Sequence, residues 1–259
     1  MIVRDAVASD LLQVRDLAAS FDLRGIDSVQ NDRYVALLQR HGRLLVAERN
    51  AQILGFGGVV HTGTATMITD LFVDSATQDA GVGGAILDAL VAEADQLMTF
   101  SSQHPAAQRL YRGQGLAARW SLQYMEGFAR PLPSRFRTIA VDASSLQIDR
   151  PEIAELLEQP LCLHLLEGDQ IAGAAIVAID ERGAYVYRLV SGGDPADAVR
   201  AVISAFAAGA PVRIEVRDAT PGHGALLDAG FVEIECDTFM SRSGVDIAAT
   251  VIGLNPGLA

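Results

Sequence analysis

Three closely spaced glycines could bind an anion through the backbone. Gly81, Gly83 and Gly84 follow Leu71–Val73, a segment typical of a strand, and precede apolar residues at helical spacing, namely Ile86, Leu87, Leu90 and Val91. Glycines between a strand and a helix leave N–H groups uncovered, and the N-terminal end of the helix dipole attracts negative charge. This pattern predicts a phosphate-binding loop, although glycines alone also suit an ordinary turn.

Two common phosphate loops do not fit this stretch. A dinucleotide-binding fingerprint needs glycine where Ile86 stands, and a Walker loop needs a lysine, which this chain lacks. The pattern Q/R-x-x-G-x-G/A does fit, from Gln78 to Gly83. It resembles the pyrophosphate-binding motif of the GNAT superfamily of acyl-CoA-dependent N-acetyltransferases.

The resemblance implies a binding site for an acyl donor. In that family the loop amides hold the pyrophosphate of coenzyme A, and a bulge in the preceding strand frees backbone groups for the thioester. The matching positions are those of the strand and the loop: Leu71, Phe72, Val73, Gln78, Asp79, Ala80, Gly81, Val82, Gly83 and Gly84. Asp79 departs from the family pattern, because a carboxylate beside a phosphate is unfavourable unless it points outward.

A second segment, Ala107–Leu116, has the spacing A-x-x-x-Y-x-x-x-G-[FL] and resembles another GNAT signature. The resemblance implies that Tyr111 protonates the departing coenzyme A thiolate and that Ala107 and His104 lie at the cofactor site. His104 stands where the family often has asparagine. Alternatively, Tyr111 only packs, with its hydroxyl at the surface.

Asp70 directly precedes the strand residues that would carry the thioester. An amine must be neutral to attack, so a base has to remove its proton, and Asp70 could act as this base or hold a cationic acceptor. Strand alternation predicts Asp70 and Phe72 on one face and Leu71 and Val73 on the other. The alternative is a polar residue that serves backbone groups at a sheet edge.

The elements that position these residues follow the order of the GNAT fold. A short strand and a helix beginning at Ser9 or Asp10 are followed by a weak helical period over 32–40, and then by strands at 43–48 and 52–61 joined by a tight turn. The strand, glycine loop and helix come next. We therefore expect an α/β fold of two GNAT-like domains, each a mostly antiparallel, splayed sheet flanked by helices.

The second half of the chain repeats parts of the first. Gln170–Gly173 follows the similar Gln52–Gly55 by 118 residues, and Ala229–Phe231 follows Gln114–Leu116 by 115 residues, as an internal duplication should. The predicted division has four parts: a catalytic, acyl-CoA-binding GNAT domain at 1–128, a linker at 129–137, a degenerate GNAT-like domain at 138–245 and a tail at 246–259.

The glycine loop is not repeated in the second half. The later offset places Ala196–Val199 opposite Gly81–Gly84, and Leu226 opposite Tyr111. Asp194–Asp197 is typical of an ordinary helix start with acidic residues in the first turn. We expect coenzyme A to bind in the first half only.

Composition bears on the partners. The formal net charge of −12 argues against nucleic acid. Half of the residues are hydrophobic, but the longest aliphatic run, Ile171–Ile179, is too short to span a bilayer. Two cysteines cannot make a disulfide framework, and the first residues do not resemble a secretory signal. The expectation is a cytoplasmic monomer or homodimer that binds no nucleic acid, membrane or metal.

The predicted function is that of an N-acetyltransferase that uses acetyl-CoA as donor and a small-molecule amine as acceptor. A non-catalytic acyl-CoA-binding sensor or scaffold is the alternative, and Asp79 favours it. The acceptor stays open, since Phe21–Gly42, which would line its site, carries no recognisable motif. Acetyl versus a longer acyl group on the donor is equally open.

Overall fold

The chain forms two units in a computed structural model that describes residues 1–23, 28–63, 65–77 and 80–258. Unit 1 comprises Met1–Arg119, Phe239–Asp246 and Gly257–Ala259. Unit 2 comprises Trp120–Thr238 and Ile247–Pro256.

Unit 1 is built from strands and helices in the predicted order. They are β1 (Ile2–Asp5), α1 (Leu11–Ser20), α2 (Asp32–His41), β2 (Gly42–Arg49), β3 (Gln52–Thr62), β4 (Ala65–Val73), α3 (Val82–Val91), β5 (Leu97–Ser101) and α4 (Pro105–Gly113). The sheet order is β1-β2-β3-β4-β5. All neighbours are antiparallel except β4 and β5, which are parallel.

Unit 2 has a similar alternation of elements. They are β6 (Ala117–Phe128), β7 (Arg137–Val141), β8 (Leu161–Glu167), β9 (Gln170–Asp180), β10 (Gly183–Ser191), α5 (Pro195–Ser204), β11 (Pro211–Arg217), α6 (Pro221–Asp228), β12 (Val232–Ser241) and β13 (Val251–Leu254). Two short 3₁₀ segments, Ala143–Ser145 and Pro151–Leu156, stand in chain order where unit 1 has α1 and α2. The sheet order from β6 is β6-β11-β13-β10-β9-β8-β7.

Glycines on β3 let helix α3 pack close to the sheet of unit 1. A Cβ at Gly57 would lie 2.7 Å from the Ile86 side chain and 2.8 Å from that of Leu90. A Cβ at Gly55 would lie 3.1 Å from Ile86. The apolar side chains of α3 can therefore rest on the β3 backbone, which fixes the position of the helix start relative to β4.

Strands β4 and β5 diverge after three residue pairs. Thr66, Met67 and Ile68 pair with Leu97, Met98 and Thr99, whereas β4 continues to Val73 and β5 to Ser101. On the other side of β4, Gly58 pairs with Asp70 and Val59 with Ile68, so Thr69 is the extra residue of a β-bulge. The predicted splay of the sheet is confirmed, and the bulge lies where it begins.

Unit 2 repeats this register. Ala184, Tyr185 and Val186 of β10 pair in parallel with Val212, Arg213 and Ile214 of β11, again three pairs. The paired residues of β10 lie 118 positions after the paired residues of β4. The paired residues of β11 lie 115 positions after those of β5. Tyr187 is the extra residue of a β-bulge where β10 pairs with β9. It likewise lies 118 positions after Thr69.

The two units of the structure do not follow the domain boundaries predicted from the sequence. The predicted linker 129–137 packs into unit 2, where Ala129 and Phe136 are buried in the core and the Leu132 N–H donates to Ser204 Oγ at 2.9 Å. Within the predicted tail 246–259, β13 is a strand of unit 2. At the end of the predicted second domain, Phe239–Asp246 belongs to unit 1. Pro131 and Pro133 indicate irregular backbone, but they carry no signal for the burial of Ala129 and Phe136.

Candidate functional site

Helix α3 begins without a capping side chain. Its N-cap is Gly81, with a left-handed φ of 77°, and the first helical hydrogen bond runs from the Ala85 N–H to the Gly81 carbonyl at 3.0 Å. The N–H groups of Val82, Gly83 and Gly84 therefore have no acceptor within the helix. Among the described residues, no atom lies within 4 Å of where a Cβ of Gly81 would be. As far as the described residues show, the space beside Gly81 is therefore free for a ligand, as an anion site requires.

The end of β4 and one side of α4 lie against this helix start. A Cβ at Gly83 would lie 3.4 Å from Val73 Cγ2 and 3.7 Å from Leu110 Cδ2, and one at Gly84 would lie 4.0 Å from Leu110 Cδ1. Strand β4 and helices α3 and α4, which carry the two sequence signatures, therefore meet at this helix start. A large side chain at Gly83 would press on Val73 and Leu110, so its effects on packing and on ligand binding would be difficult to separate.

The rest of the predicted loop is described only in part. Ala80 is exposed, and its N–H donates to the Thr77 carbonyl at 3.3 Å. Gln78 and Asp79 lie outside the described residues.

The predicted alternation along β4 is confirmed. Leu71 and Val73 pack against the core on the α3 side. Phe72 faces the other way, with its ring centroid 5.3 Å from that of Phe21 and 5.4 Å from that of Phe56.

Asp70 is a buried carboxylate that receives two hydroxyl groups. It is 6% exposed, and its Oδ2 accepts from the Tyr34 hydroxyl at 2.6 Å and from Thr69 Oγ1 at 2.8 Å. Gly58, opposite on β3, makes room for this group, because a Cβ there would lie 2.8 Å from Asp70 Oδ2. Asp70 is the first residue after the bulge, so it lies where β4 leaves β5.

Sequence reasoning missed Tyr34. The residue belongs to α2 and is fully buried, but in the sequence it is one member of a weak helical period shared with Leu37 and Leu38. No local signal distinguishes a core tyrosine from one whose hydroxyl reaches a carboxylate 36 positions later.

The second signature forms helix α4. His104 is its exposed N-cap, and His104 Nδ1 accepts from the Ala106 N–H at 3.3 Å. Ala107 packs partly buried against the core of unit 1. Tyr111 belongs to this core and is 8% exposed, and its carbonyl accepts from the N–H groups of Gln114 and Leu116. The structure thus places Tyr111 on the buried side of α4. Leu110 of the same helix lies next to Gly83 and Gly84.

The corresponding helix start in unit 2 is closed. Its N-cap is Asp194, whose side chain accepts from the Asp197 N–H at 3.0 Å, and Pro195 has no N–H. The Arg135 guanidinium lies 2.7 Å from the Asp197 carboxylate and holds the pKa of that carboxyl below its usual value. The helix starts align Gly81 with Asp194, which corrects the predicted pairing of Gly81–Gly84 with Ala196–Val199 by two residues.

The other functional positions also differ in unit 2. At the offset of β10, Arg188 corresponds to Asp70, and it binds Asp149 through Nε at 3.2 Å and Nη2 at 2.5 Å. Leu226, fully buried, corresponds to Tyr111. An arginine cannot act as a base at neutral pH, and leucine has no proton to give.

Two further properties of the described residues concern metals and membranes. These residues contain no group of three or more His, Cys, Asp or Glu side chains placed to hold a metal ion. In the same part of the chain, no helix is long and apolar enough to cross a membrane.

The glycine site and helix α4 lie in a segment with known relatives. Residues 40–115 match the family described as the acetyltransferase (GNAT) domain. The segment includes the bulged strand β4, the start of α3 and Tyr111. A search of curated proteins gives no match to the chain.

Solved structures share the fold of the chain. A protein from Pyrococcus horikoshii classed as an acetyltransferase matches with a TM-score of 0.77 at 14% identity, over 99% of this chain and 95% of its own. GCN5-related N-acetyltransferases from Anabaena variabilis and Kribbella flavida match with TM-scores of 0.63 and 0.61, at 14% and 16% identity, over 93% of this chain and 72% and 70% of theirs. The fold is therefore the mixed α/β fold of GNAT structures, with a mostly antiparallel sheet flanked by helices.

Replacing Gly81 by aspartate should weaken coenzyme A binding roughly tenfold or more, because a carboxylate would stand at the opening where the phosphates carry negative charge. Gly81→Asp adds no clash with the described residues, and aspartate tolerates a positive φ better than most residues. Calorimetric titration with coenzyme A measures the affinity.

Gly115→Asp is the matched control for this experiment. Gly115 follows α4 with a φ of 81°, and no described atom lies within 4 Å of its Cβ position, so the variant carries the same backbone strain and charge. Equal affinities of the two variants for coenzyme A would remove the α3 start from the site.

Proposed function

We propose that unit 1 transfers an acetyl group from acetyl-CoA to the amine of a small molecule. The observation that carries this proposal is the meeting of an uncapped, glycine-lined helix start with a bulged strand that leaves its neighbour. The match of residues 40–115 to the acetyltransferase (GNAT) domain supports it.

The pyrophosphate of the donor would bind the N–H groups of Val82, Gly83 and Gly84. These groups have no acceptor within the helix, and the helix dipole favours an anion at the same place. Beyond Ile68, β4 has backbone groups on its β5 side that β5 does not pair. The amides and thioester of the donor arm could satisfy them along Leu71–Val73, because buried backbone groups require partners.

Acyl transfer would then proceed at the bulge. The amine nitrogen attacks the thioester carbon and loses a proton to Asp70, and the C–S bond breaks as the carbonyl re-forms. The sulfur leaves with a proton supplied by Tyr111. Hydrogen bonds from Tyr34 and Thr69 to Oδ2 hold the Asp70 carboxylate in place at the bulge.

One observation favours the alternative of a non-catalytic acyl-CoA-binding sensor. Tyr111 is only 8% exposed and lies in the hydrophobic core, as a packing residue would. Such a protein would bind the donor and release no thiol.

Two GNAT-like domains derived from one duplicated ancestor would explain the matching registers of the units. The parallel strand pairs and the bulges of the two units are separated by 118 and 115 residues, the same separations as those of the two similar sequence segments. The closed helix start and Arg188 support a second unit that has lost donor binding and chemistry. A cytoplasmic location, a monomeric or dimeric state and a lack of nucleic-acid or membrane partners stay predictions.

Turnover should depend on Tyr111 far more than donor binding does. Tyr111→Phe removes only the hydroxyl, and general acid catalysis contributes roughly 100-fold to 10,000-fold, so kcat should fall by that order with an almost unchanged acetyl-CoA affinity. The assay follows thiol release from acetyl-CoA with a panel of amines, aminoglycosides and amino acids. A loss of less than about threefold would assign Tyr111 to packing, and binding without thiol release by the unaltered protein would support the sensor.

Asp70 and Tyr34 should act as one unit in turnover. The Tyr34 hydroxyl donates to Asp70 Oδ2 and helps to fix the carboxylate, so Tyr34→Phe should lower kcat roughly tenfold with an almost unchanged acetyl-CoA affinity. Thiol release measured for Asp70→Asn, Tyr34→Phe and the double variant tests this expectation, with circular dichroism to confirm folding.

Asp70→Asn should lose most activity, and adding Tyr34→Phe to it should change little further, since Tyr34 acts through the carboxylate. An unchanged kcat in Tyr34→Phe would show that the hydrogen bond does not serve the reaction.

A further inference from the structure

Strand β13 lies between β10 and β11 at the point where these two strands diverge. Their parallel pairing ends with Val186 and Ile214. Beyond it, Arg188 and Leu189 of β10 pair in antiparallel fashion with Leu254 and Gly253 of β13. Gly253 also pairs with Val216 of β11, so β13 pairs with both diverging strands.

The divergence in unit 2 occurs at the register of the divergence in unit 1. Both parallel pairings have three residue pairs, and in both the bulged residue follows at once on the first strand, Thr69 in β4 and Tyr187 in β10. The slot beside β4 is the proposed place of the donor thioester. Its counterpart beside β10 holds β13, so a segment of this chain takes the position of the donor arm.

The segment fits its slot through the backbone and through close packing. The Asn255 N–H donates to the Tyr187 carbonyl at 2.9 Å, and the Ser191 N–H donates to the Thr250 carbonyl at 2.9 Å. Asn255 Nδ2 also donates to the Tyr185 hydroxyl at 2.8 Å. Gly253 lies so close to the sheet that a Cβ would be 2.9 Å from Ile214 Cδ1.

We propose that the slot between β10 and β11 is a binding site for an extended peptide, and that its ligand is the segment Thr250–Asn255 of this chain. The comparison of this slot with a donor slot rests on the proposed function of unit 1. The site itself does not, because it is defined by contacts within unit 2. Diverging strands leave two rows of backbone groups that need partners, and β13 pairs with β10 at three positions and with β11 at one.

Peptide specificity follows from the helix start next to the slot. The Asp194 side chain takes the Asp197 N–H, and Pro195 offers no donor, so the place where a pyrophosphate would bind has fewer N–H groups to give it. An extended peptide needs no such donors. The slot should therefore prefer the peptide to coenzyme A even when β13 is displaced.

The test uses the full chain with a protease site inserted between Asp246 and Ile247, where the contact units meet in sequence. After cleavage and removal of the released fragment, a fluorescent synthetic peptide of residues 247–259 should bind with one-to-one stoichiometry and restore the melting temperature of the uncut protein. An unchanged melting temperature after removal of the fragment would overturn the proposal, and so would displacement of the peptide by coenzyme A.

Two altered peptides form a matched pair. Gly253→Val should bind at least about tenfold more weakly, because its side chain would press on Ile214 and Leu189. Ala249→Val should bind like the unaltered peptide, since Ala249 is exposed and precedes the strand. Equal binding of the two peptides would contradict a fitted site.

A measurement on the uncut protein covers the case in which the cleaved protein unfolds. Hydrogen exchange of the Ser191 and Asn255 amides should be slow in the unaltered chain and at least about tenfold faster in the Gly253→Val chain, with Ala249→Val unchanged. Unchanged protection in Gly253→Val would overturn the proposal. Coenzyme A titration of the uncut chain tests unit 1 separately. A failure of donor binding there would reject the proposed function and leave the proposal about the peptide site unaffected.

Discussion

Backbone groups left without a strand partner are the constraint on which unit 1 depends. Strands β4 and β5 part after Ile68 and Thr99, and the bulge at Thr69 turns the chain at that point. A sheet that opens in its interior exposes N–H and C=O groups that must be satisfied by something other than a neighbouring strand. The uncapped start of α3 adds further N–H donors at the end of the same strand. Together they favour a ligand that carries both amides and phosphates, as acyl-CoA does.

The two units meet this constraint in different ways. In unit 1 the helix start has no capping side chain, and a carboxylate supported by two hydroxyls stands at the bulge. In unit 2 an aspartate caps the helix, an arginine paired with Asp149 stands at the position of the carboxylate, and β13 pairs with both diverging strands. The second arrangement is satisfied within the chain itself. The contrast agrees with the proposal that unit 1 binds a donor and that unit 2 does not.

The parts of the fold that the sequence predicted are those fixed by local backbone chemistry. The turn before Gln52 is marked by Asn50, which takes a left-handed φ of 52°, and the start of α4 by Pro105. Gly81 predicted the start of α3 for the same kind of reason. What could not be predicted depends on residues far apart in the chain. The contact of Tyr34 with Asp70 is of this kind.

Strand β13 is the clearest example of such a long-range feature. Val251–Leu254 is short and contains a glycine, so its pattern does not favour a strand, and its partners lie more than thirty positions earlier. The buried Phe136 in the expected linker is similar, because a proline-rich stretch looks like a linker whether or not its neighbours are buried. In the sequence the similarity of the two halves is visible only in two short segments, whereas the structure repeats a register of three parallel pairs followed by a bulge.

A crystal structure of the full chain with bound acetyl-CoA tests the central claim most directly. The account predicts one molecule per chain, with its pyrophosphate on the N–H groups of Val82, Gly83 and Gly84 and its thioester arm along β4 between Asp70 and Val73. The strand β13 should stay between β10 and β11. Density for the donor beside Asp194–Asp197, or with its phosphates away from the start of α3, would contradict the account.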